Sequence, residues 1–543
     1  MTPKNFLSEP PLVQLAGVIQ EPFNLGIAAA RTCYSSKGII TREDVSKDEK
    51  ALTLRDKIAA STLQAGHLTT RQHANFVFAL DRVSRQFIWS FLHSHPYYNS
   101  EQVSQRYVKV APGHYTVPPL SEKHAKHYEE VVDLQMKTYN QLIELLLPDI
   151  RKRFYGLFPQ RVKTSEKYEA SLKKRAYEVA RYLLPVATHA YLYHTVSALT
   201  LIRYHRLCDM FDTSFEQRYV VQKMIEEVLK VDPDFQKELK DPLPIEETPE
   251  YKILASTSCH REPKGRGDLT LIPGDGHASL AMTGSKAFIK EFDASLKGHT
   301  SKLVDYKVNA EKVLAQSVRS VLGLTENQIS DQDAIEKVMN PAENPYFGDT
   351  LNVTTLSKLS RTMFHPHYTF RKKISHTADS QDQRHRMTPG SRPILWTHYS
   401  GEPDYVEPML VKENENVRDV YGQTMVKVFR GINDLLNEGV EPEYALYLLP
   451  NAFPIRFEES GDLLNLHHKW RTRACYTAQE EIFFATIEEV QQVKDIHPQI
   501  AQHILAPCYL RMKSGETPYC PEGDRYCGVP VWKKDISEYS RVL

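Results

Sequence analysis

His73-Ala74-Asn75-Phe76-Val77-Phe78 and His365-Pro366-His367-Tyr368-Thr369-Phe370 are one pattern written twice. Each opens on a histidine and then sets an aromatic residue at alternate positions. Alternation with a period of two marks a strand with one buried face. A serine follows in both, Ser84 six residues past Phe78 and Ser375 five past Phe370, and then a polar stretch rich in His and Arg. Further along, Leu183-Leu184-Pro185 is matched by Leu448-Leu449-Pro450, and 31 residues beyond each proline stands an acid, Glu216 or Glu481. After Glu216 come Val220, Val221, Met224, Ile225, Val228 and Leu229; after Glu481 come Ile482, Phe483, Ile487, Val490 and Val493. Both sets are apolar stripes at helical spacing. The same landmarks in the same order make the chain a diverged tandem duplication.

The chain has 543 residues, and units of roughly 100–250 residues are the rule, so two or more are expected. Prolines and acids between Asp232 and Thr248 interrupt any helix there. The expected copies are residues 1–240 and 241–543. They are unequal: 112 residues separate His73 from Pro185, against 85 from His365 to Pro450, and the second copy has a longer front, rich in Gly and polar residues around Pro263–Gly276. Lys plus Arg and Asp plus Glu both number 68. That balance speaks against a nucleic-acid coat or a membrane-surface patch, while leaving room for a local cationic pocket. No stretch is long and apolar enough for a membrane span, and the first residues lack a signal-peptide core. Seven cysteines are too few for a disulfide scaffold, so a cytoplasmic setting is expected.

Three segments have the composition for chemistry. Gln381-Asp-Gln-Arg384-His385-Arg386 groups donors that suit a phosphate or pyrophosphate, although a basic triplet is more commonly a solvated face. Glu101-Gln102-Val103-Ser104-Gln105-Arg106-Tyr107 gathers hydroxyl, amide and guanidinium groups in what reads as a short polar loop. Gly66-His67-Leu68-Thr69 is a turn able to bring His67 over a flat ring. Neither a G-x-G-x-x-G nor a P-loop motif occurs, so the usual dinucleotide and nucleotide cradles are not indicated. Cys508 is a poor candidate nucleophile, since a lone Cys is usually a small hydrophobe.

Together these segments resemble the flavin-dependent thymidylate synthases, whose signature is R-H-R-x-x-S-x-N-E-x-S-x-R-Y. The first half carries Ala29-Ala30-Arg31-Thr-Cys-Tyr34, Gly66-His67-Leu-Thr69-Thr-Arg-Gln-His73, Ser84-Arg85, Ser104-Gln-Arg106-Tyr107 and Ala180-Arg181-Tyr-Leu-Leu-Pro185 through Thr195-Val196-Ser197-Ala198. The second half carries Arg384-His385-Arg386, and Arg473 followed by Ala478-Gln479-Glu480-Glu481-Ile482. The resemblance omits roughly Ile253–Leu356 and the last forty or so residues.

The departures fall in complementary places. In the first half R-H-R reads His93-Ser94-His95, the late arginine is Cys208 and the T-V-N asparagine is Ser197. In the second, the S-x-R-Y loop shrinks to Thr388-Pro-Gly-Ser391-Arg392-Pro393, and the A-R-x-x-L-P arginine is Leu446. In the family the nucleotide site lies between subunits. Here the second half keeps one side of it, Gln381, Arg384 and Arg473, and the first keeps the other, Glu101, Ser104, Gln105, Arg106 and Arg181. A pseudo-dimer with one complete site is therefore expected.

The resemblance implies an α+β fold: two helix-rich copies, each with a small, mostly antiparallel sheet. It implies methylation of dUMP to dTMP with methylenetetrahydrofolate, NADPH and FAD. Arg106, Arg181 and Ser104 would hold the monophosphate, Arg473 would sit at the uracil edge, and Glu101 would lie near the nucleotide–flavin junction. Arg384, His385 and Arg386 would grip the flavin, with His67 and Thr69 from the first half. Two chains would rebuild a pseudo-tetramer. The competing expectations are a catalytically retired homologue that binds flavin or nucleotide, and a zinc module made of His503, Cys508, Cys520 and Cys527.

Overall fold

The computed structural model describes residues 6–95, 97–209, 212–259 and 277–543. The Gly-rich stretch Pro263–Gly276 lies outside these residues. The alternating aromatics ahead of Ser84 form β2 (Asn75–Ser84), whose Phe76, Phe78 and Leu80 are no more than 1% exposed. It pairs within a four-stranded antiparallel sheet of order β1-β2-β4-β3, where β1 is Leu12–Val18, β3 is Tyr98–Gln102 and β4 is His189–Ser197. The second copy has an antiparallel sheet of order β5-β6-β7: Ser301–Tyr306, His367–Ser375 and Pro454–Asp462. Tyr368 and Phe370 of β6 are buried like their counterparts.

The sheets differ at one edge. Where β3 stands beside β4, only the remnant Pro389–Ser391 lies beside β7: Ser391 N–H donates to the Glu458 carbonyl at 2.8 Å, and Ser460 N–H to the Pro389 carbonyl at 3.0 Å. The shortened loop of the second half has become a sheet edge. The segment read as a polar loop in the first half is partly strand, since Glu101 and Gln102 belong to β3 and only Ser104–Tyr107 turns.

Each landmark serine ends its strand and caps the next helix. Ser84 Oγ accepts from Phe87 N–H, and Ser375 Oγ from Ala378 N–H, satisfying a helix-end donor as an N-cap does. The distant acids explain the 31-residue spacing. Glu216 accepts from Ser84 N–H at 2.7 Å and from its hydroxyl at 2.6 Å, and Glu481 accepts from Ser375 N–H at 2.7 Å.

Both acids are also shared between copies. The Tyr447 hydroxyl of the second copy donates to Glu216 at 2.7 Å, and the Tyr182 hydroxyl of the first donates to Glu481. The Leu-Leu-Pro segments pair through backbone: Val186 N–H to Leu449 O, Ala187 N–H to Tyr447 O, Asn451 N–H to Leu184 O and Ala452 N–H to Tyr182 O, all within 2.9 Å. The long helices Glu122–Leu157 and Glu415–Asn437 pack against each other beside this seam. One apolar core runs through both copies, with Tyr128, Tyr139 and Leu142 on one side and Tyr421, Phe429 and Ile432 on the other. Each copy also keeps its own core behind its sheet. The stripes after Glu216 and Glu481 are the buried faces of the helices Ser214–Val231 and Glu480–Ile496. The observed architecture is α+β, helix-rich, with a small antiparallel sheet in each copy. No helix among the described residues is long and apolar enough to cross a membrane.

Candidate active site

The serine cap that ends β6 starts the short helix His376–Asp382, and the chain then turns through Arg384-His385-Arg386. This turn lies against β3 of the first copy. Arg384 Nη2 contacts Glu101 Oε1 at 2.8 Å, and both Nη atoms of Arg386 donate to Asn99 Oδ1 at 3.1 Å. The Arg386 guanidinium lies 5.1 Å from the centre of the Tyr98 ring. A cleft of about 230 Å³ opens here, with Tyr98, Ser100, Glu101, Tyr193, Arg384 and Arg386 in its lining. Ser100 Oγ and Gln381 Nε2 are buried with no hydrogen-bond partner among the described residues.

Arg473 is the last residue of the helix Leu463–Arg473. Its Nε donates to His385 Nε2 at 2.9 Å and its Nη2 to the Gln381 carbonyl at 3.0 Å. Accepting at Nε2 requires a ring unprotonated there. Burial, with Arg473 and Lys469 close by, holds His385 well below the usual imidazole range in keeping with this role. Burial also brings Arg473 down to about 10, with Asp382 opposing and Arg384 and Arg106 reinforcing the shift.

Arg106 joins the two copies. Its Nε lies 3.0 Å from Glu178 Oε1, and its Nη2 donates to the Thr477 carbonyl of the second copy at 2.8 Å. Ser104 Oγ accepts from Arg106 N–H at 3.3 Å and so shapes the turn. Gln105 is buried between Thr188 Oγ1 and Asn451 Nδ2. Arg181, 2% exposed, reaches the Glu178 carbonyl at 3.2 Å, and its Nη2 has no partner among the described residues. Arg85 lies beside Arg181, and burial together with that charge lowers it to about 10.

Glu178 was not singled out by the sequence, although it stands three residues before Arg181. Burial works against its charge, but Arg106, Arg175, Arg541 and Arg181 hold it down to about 2. A second unforeseen group underlies the turn. Lys372 and Lys469, at most 1% exposed, contact Asp382, Glu459 and Glu489 at 2.5–3.0 Å. Asp382 ends the helix that feeds Arg384, so this buried network anchors the turn from below.

His67 and Thr69 sit apart, exposed on the turn between the helix Glu49–Gln64 and β2, where Gly66 adopts φ +76°. Neither lines the cleft, and β2 pairs with β4 on the side opposite β3. The corresponding segments, around His93 in the first copy and Arg392 in the second, meet each other. Arg392 contacts Asp379 at 2.7 Å and lies over the Phe457 ring, and Asp379 also accepts from Trp89 Nε1 and lies 3.6 Å from His93 Nε2. The zinc set is not assembled: His503 Nε2 is 3.1 Å from Glu336 Oε1, and no metal-holding group of three or more His, Cys, Asp or Glu occurs among the described residues.

The profile of the family described as thymidylate synthase complementing protein matches residues 14–234 and again 302–499. The chain belongs to that family, as a tandem duplication. Its relatives include the flavin-dependent thymidylate synthase of Clostridium tetani, 27% identical over 227 residues, which are 41% of this chain and 84% of the relative. The flavin-dependent thymidylate synthase of Geobacter sulfurreducens is 30% identical over 168 residues, 30% of this chain and 69% of the relative. Among solved structures, a UMP/dUMP methylase from Streptomyces cacaoi, bound with 5-Br dUMP, is 15% identical with a TM-score of 0.30, covering 42% of this chain and 94% of that one.

Proposed function

We propose that this chain is a flavin-dependent thymidylate synthase that converts dUMP to dTMP, with methylenetetrahydrofolate as carbon donor and NADPH as reductant, in one composite site between residues 1–240 and 241–543. One observation carries the reading: guanidinium groups of both copies gather around Arg106, and buried donors there lack partners. Arg181 Nη2 and Gln381 Nε2 are such donors. Unpaired buried donors are costly, and an anionic ligand with carbonyl edges would satisfy them.

In this reading Arg106 and Arg181, with the Ser104 turn, hold the phosphate. Two-oxygen recognition by guanidinium is the geometry such a group favours. Arg473, fixed by His385 and the Gln381 carbonyl, lies at the uracil edge, where a pre-set cation stabilises negative charge developing on the ring. Gln381 Nε2 faces the same ligand. Arg384, Arg386 and His385 hold FAD, with Glu101 at the nucleotide–flavin junction; the donor-rich cleft beside Tyr98 and its unpartnered Ser100 Oγ fit a phosphate-bearing group. A bound flavin supplies the two-electron reduction, and the protein positions and polarises. No covalent enzyme nucleophile is needed, and burial pushes the Cys508 thiol up to about 12. His67 and Thr69 reach a flavin only from a second chain, so the reading includes a homodimer that acts as a pseudo-tetramer in the cytoplasm.

The test is tritium release from dUMP labelled at ring carbon 5, in the presence of FAD, NADPH and methylenetetrahydrofolate. Release is expected from the wild type, reduced about 10²-fold or more in both Arg106→Ala and Arg384→Ala. A protein that binds flavin and dUMP but releases no tritium is instead the retired homologue.

A further inference from the structure

The family match ends at residue 499, yet a later segment reaches the site. Residues 539–542 are each anchored beside it. Tyr539 is buried, with its ring 6.0 Å from that of Tyr476. Ser540 N–H donates to the Tyr476 hydroxyl at 2.8 Å. Arg541 Nη1 donates to the Ala478 carbonyl, and the Val542 carbonyl accepts from Arg153 at 3.2 Å. The adjacent carbonyl, that of Thr477, is the one that accepts from Arg106. Two guanidiniums, one from the first copy and one from this segment, thus brace consecutive carbonyls of the turn that follows Arg473.

Arg541 also lines a small cavity with Arg175, Glu178, Tyr182, Gln479 and Glu480, and its Nε is buried with no partner among the described residues. Four arginines face Glu178, and Glu480, the other carboxyl beside Arg541, is pushed up to about 7 by burial. Glu481, which acts on Arg181, is the third buried carboxyl, so the guanidiniums outnumber the carboxyls four to three. A buried surplus of this kind needs an anion to balance it.

We infer that Arg541 is a positioning residue of the nucleotide site, fixing the Thr477–Ala478 peptide that holds Arg106 and adding a cation on the side that takes the phosphate. This rests on the reading of Arg106 and Arg181 as phosphate holders. Its role is to tighten binding of the monophosphate ester, with little effect on the nucleoside part.

The measurement is calorimetric titration of the full-length protein with dUMP and, separately, with deoxyuridine, for the wild type, Arg541→Gln and Arg106→Ala. Arg541→Gln is expected to weaken dUMP about tenfold and to leave deoxyuridine within about twofold. Unchanged dUMP affinity in Arg541→Gln, alongside a loss in Arg106→Ala, overturns the inference and leaves the site reading standing. An equal loss for both ligands overturns it too, because that marks general loosening. Unchanged dUMP affinity in Arg106→Ala sinks the site reading itself. If Arg541→Gln does not fold, Tyr476→Phe removes the Ser540 anchor without touching charge. The same phosphate-selective loss, smaller in size, is then expected, and wild-type dUMP affinity refutes the inference.

Discussion

Glu178 is the carboxylate on which the cations of the site converge. Four guanidiniums face it, and its two oxygens meet Arg106 and Arg175 at 3.0–3.2 Å. Removing its charge leaves buried cations unpaired, which typically costs about 3–5 kcal/mol. Glu178→Gln is therefore expected to lower the unfolding free energy from urea denaturation at neutral pH by that amount, and saturating dUMP to recover more stability in the variant than in the wild type. The pH dependence has a definite sign. The folded carboxyl is held down to about 2, below its ordinary value of 4.5, so its stabilisation is present above about 4.5 and is lost as pH falls toward about 2. Wild-type melting temperature should drop across that window, and Glu178→Gln should drop less. Equal slopes in the two proteins would show that the ion cluster does not form. Sequence alone could name Arg106, Arg181, Arg384 and Arg473, because their types and spacings match a signature. Glu178 and the Lys372–Lys469–Asp382–Glu459–Glu489 network were not legible. Several of their partners lie far off in sequence, Arg106 and Arg541 for Glu178 and Lys469 for Asp382, and a lone acid on a helix reads like any solvated one.

At the scale of elements, the signals that were legible were periodic or terminal. Alternating aromatics gave β2 and β6, helical stripes gave the helices after Glu216 and Glu481, and Ser84 and Ser375 marked strand-to-helix turns. The polar run at Glu101 reads as loop, yet its first two residues close strand β3. Edge strand β3 carries Asn99 and Glu101 on an exposed face, so polarity there reflects solvent and the cleft, not lack of pairing. The packing of the long helices against each other was not legible, although one close approach, at Gly431, shows how near they come. A Cβ added to Gly431 would meet Val131 Cγ2 at 2.5 Å, nearer than real side chains come. Overpacking of that kind costs about 1–3 kcal/mol, while replacing glycine inside a helix returns about 1 kcal/mol. Gly431→Ala should thus destabilise by up to about 2 kcal/mol. Val131→Ala in the same chain should recover part of the loss, leaving a coupling term in the double-mutant cycle. Additive effects would mean that the helices do not pass this closely.

Over the whole molecule, the shared core and the paired Leu-Leu-Pro segments make each copy the other's partner. Glu216 needs Tyr447, Glu481 needs Tyr182, and backbone donors from residues 186, 187, 451 and 452 all end on the opposite copy. Separated copies would expose an apolar seam to water and exchange these hydrogen bonds for water, a net loss of about 0.5–1.5 kcal/mol each. The covalent link contributes much less, because it acts only by raising the effective concentration of one copy near the other. Such an arrangement lets the two copies lose different halves of the signature. In the proposed reading one site keeps Arg106, Arg181 and Arg473, and the Arg392–Asp379 ion pair stands where the other would be. A protease site inserted in the segment 260–276 tests this directly. After cleavage the two fragments are expected to elute together at the size of the intact protein and to keep the tritium-release activity of the uncut chain. Either fragment expressed alone should be poorly soluble and inactive, and mixing the two during refolding should restore activity. A first-copy fragment that folds alone and binds dUMP as tightly as the intact chain would contradict a site built from both copies, since Arg473 and the Thr477 carbonyl would then be dispensable.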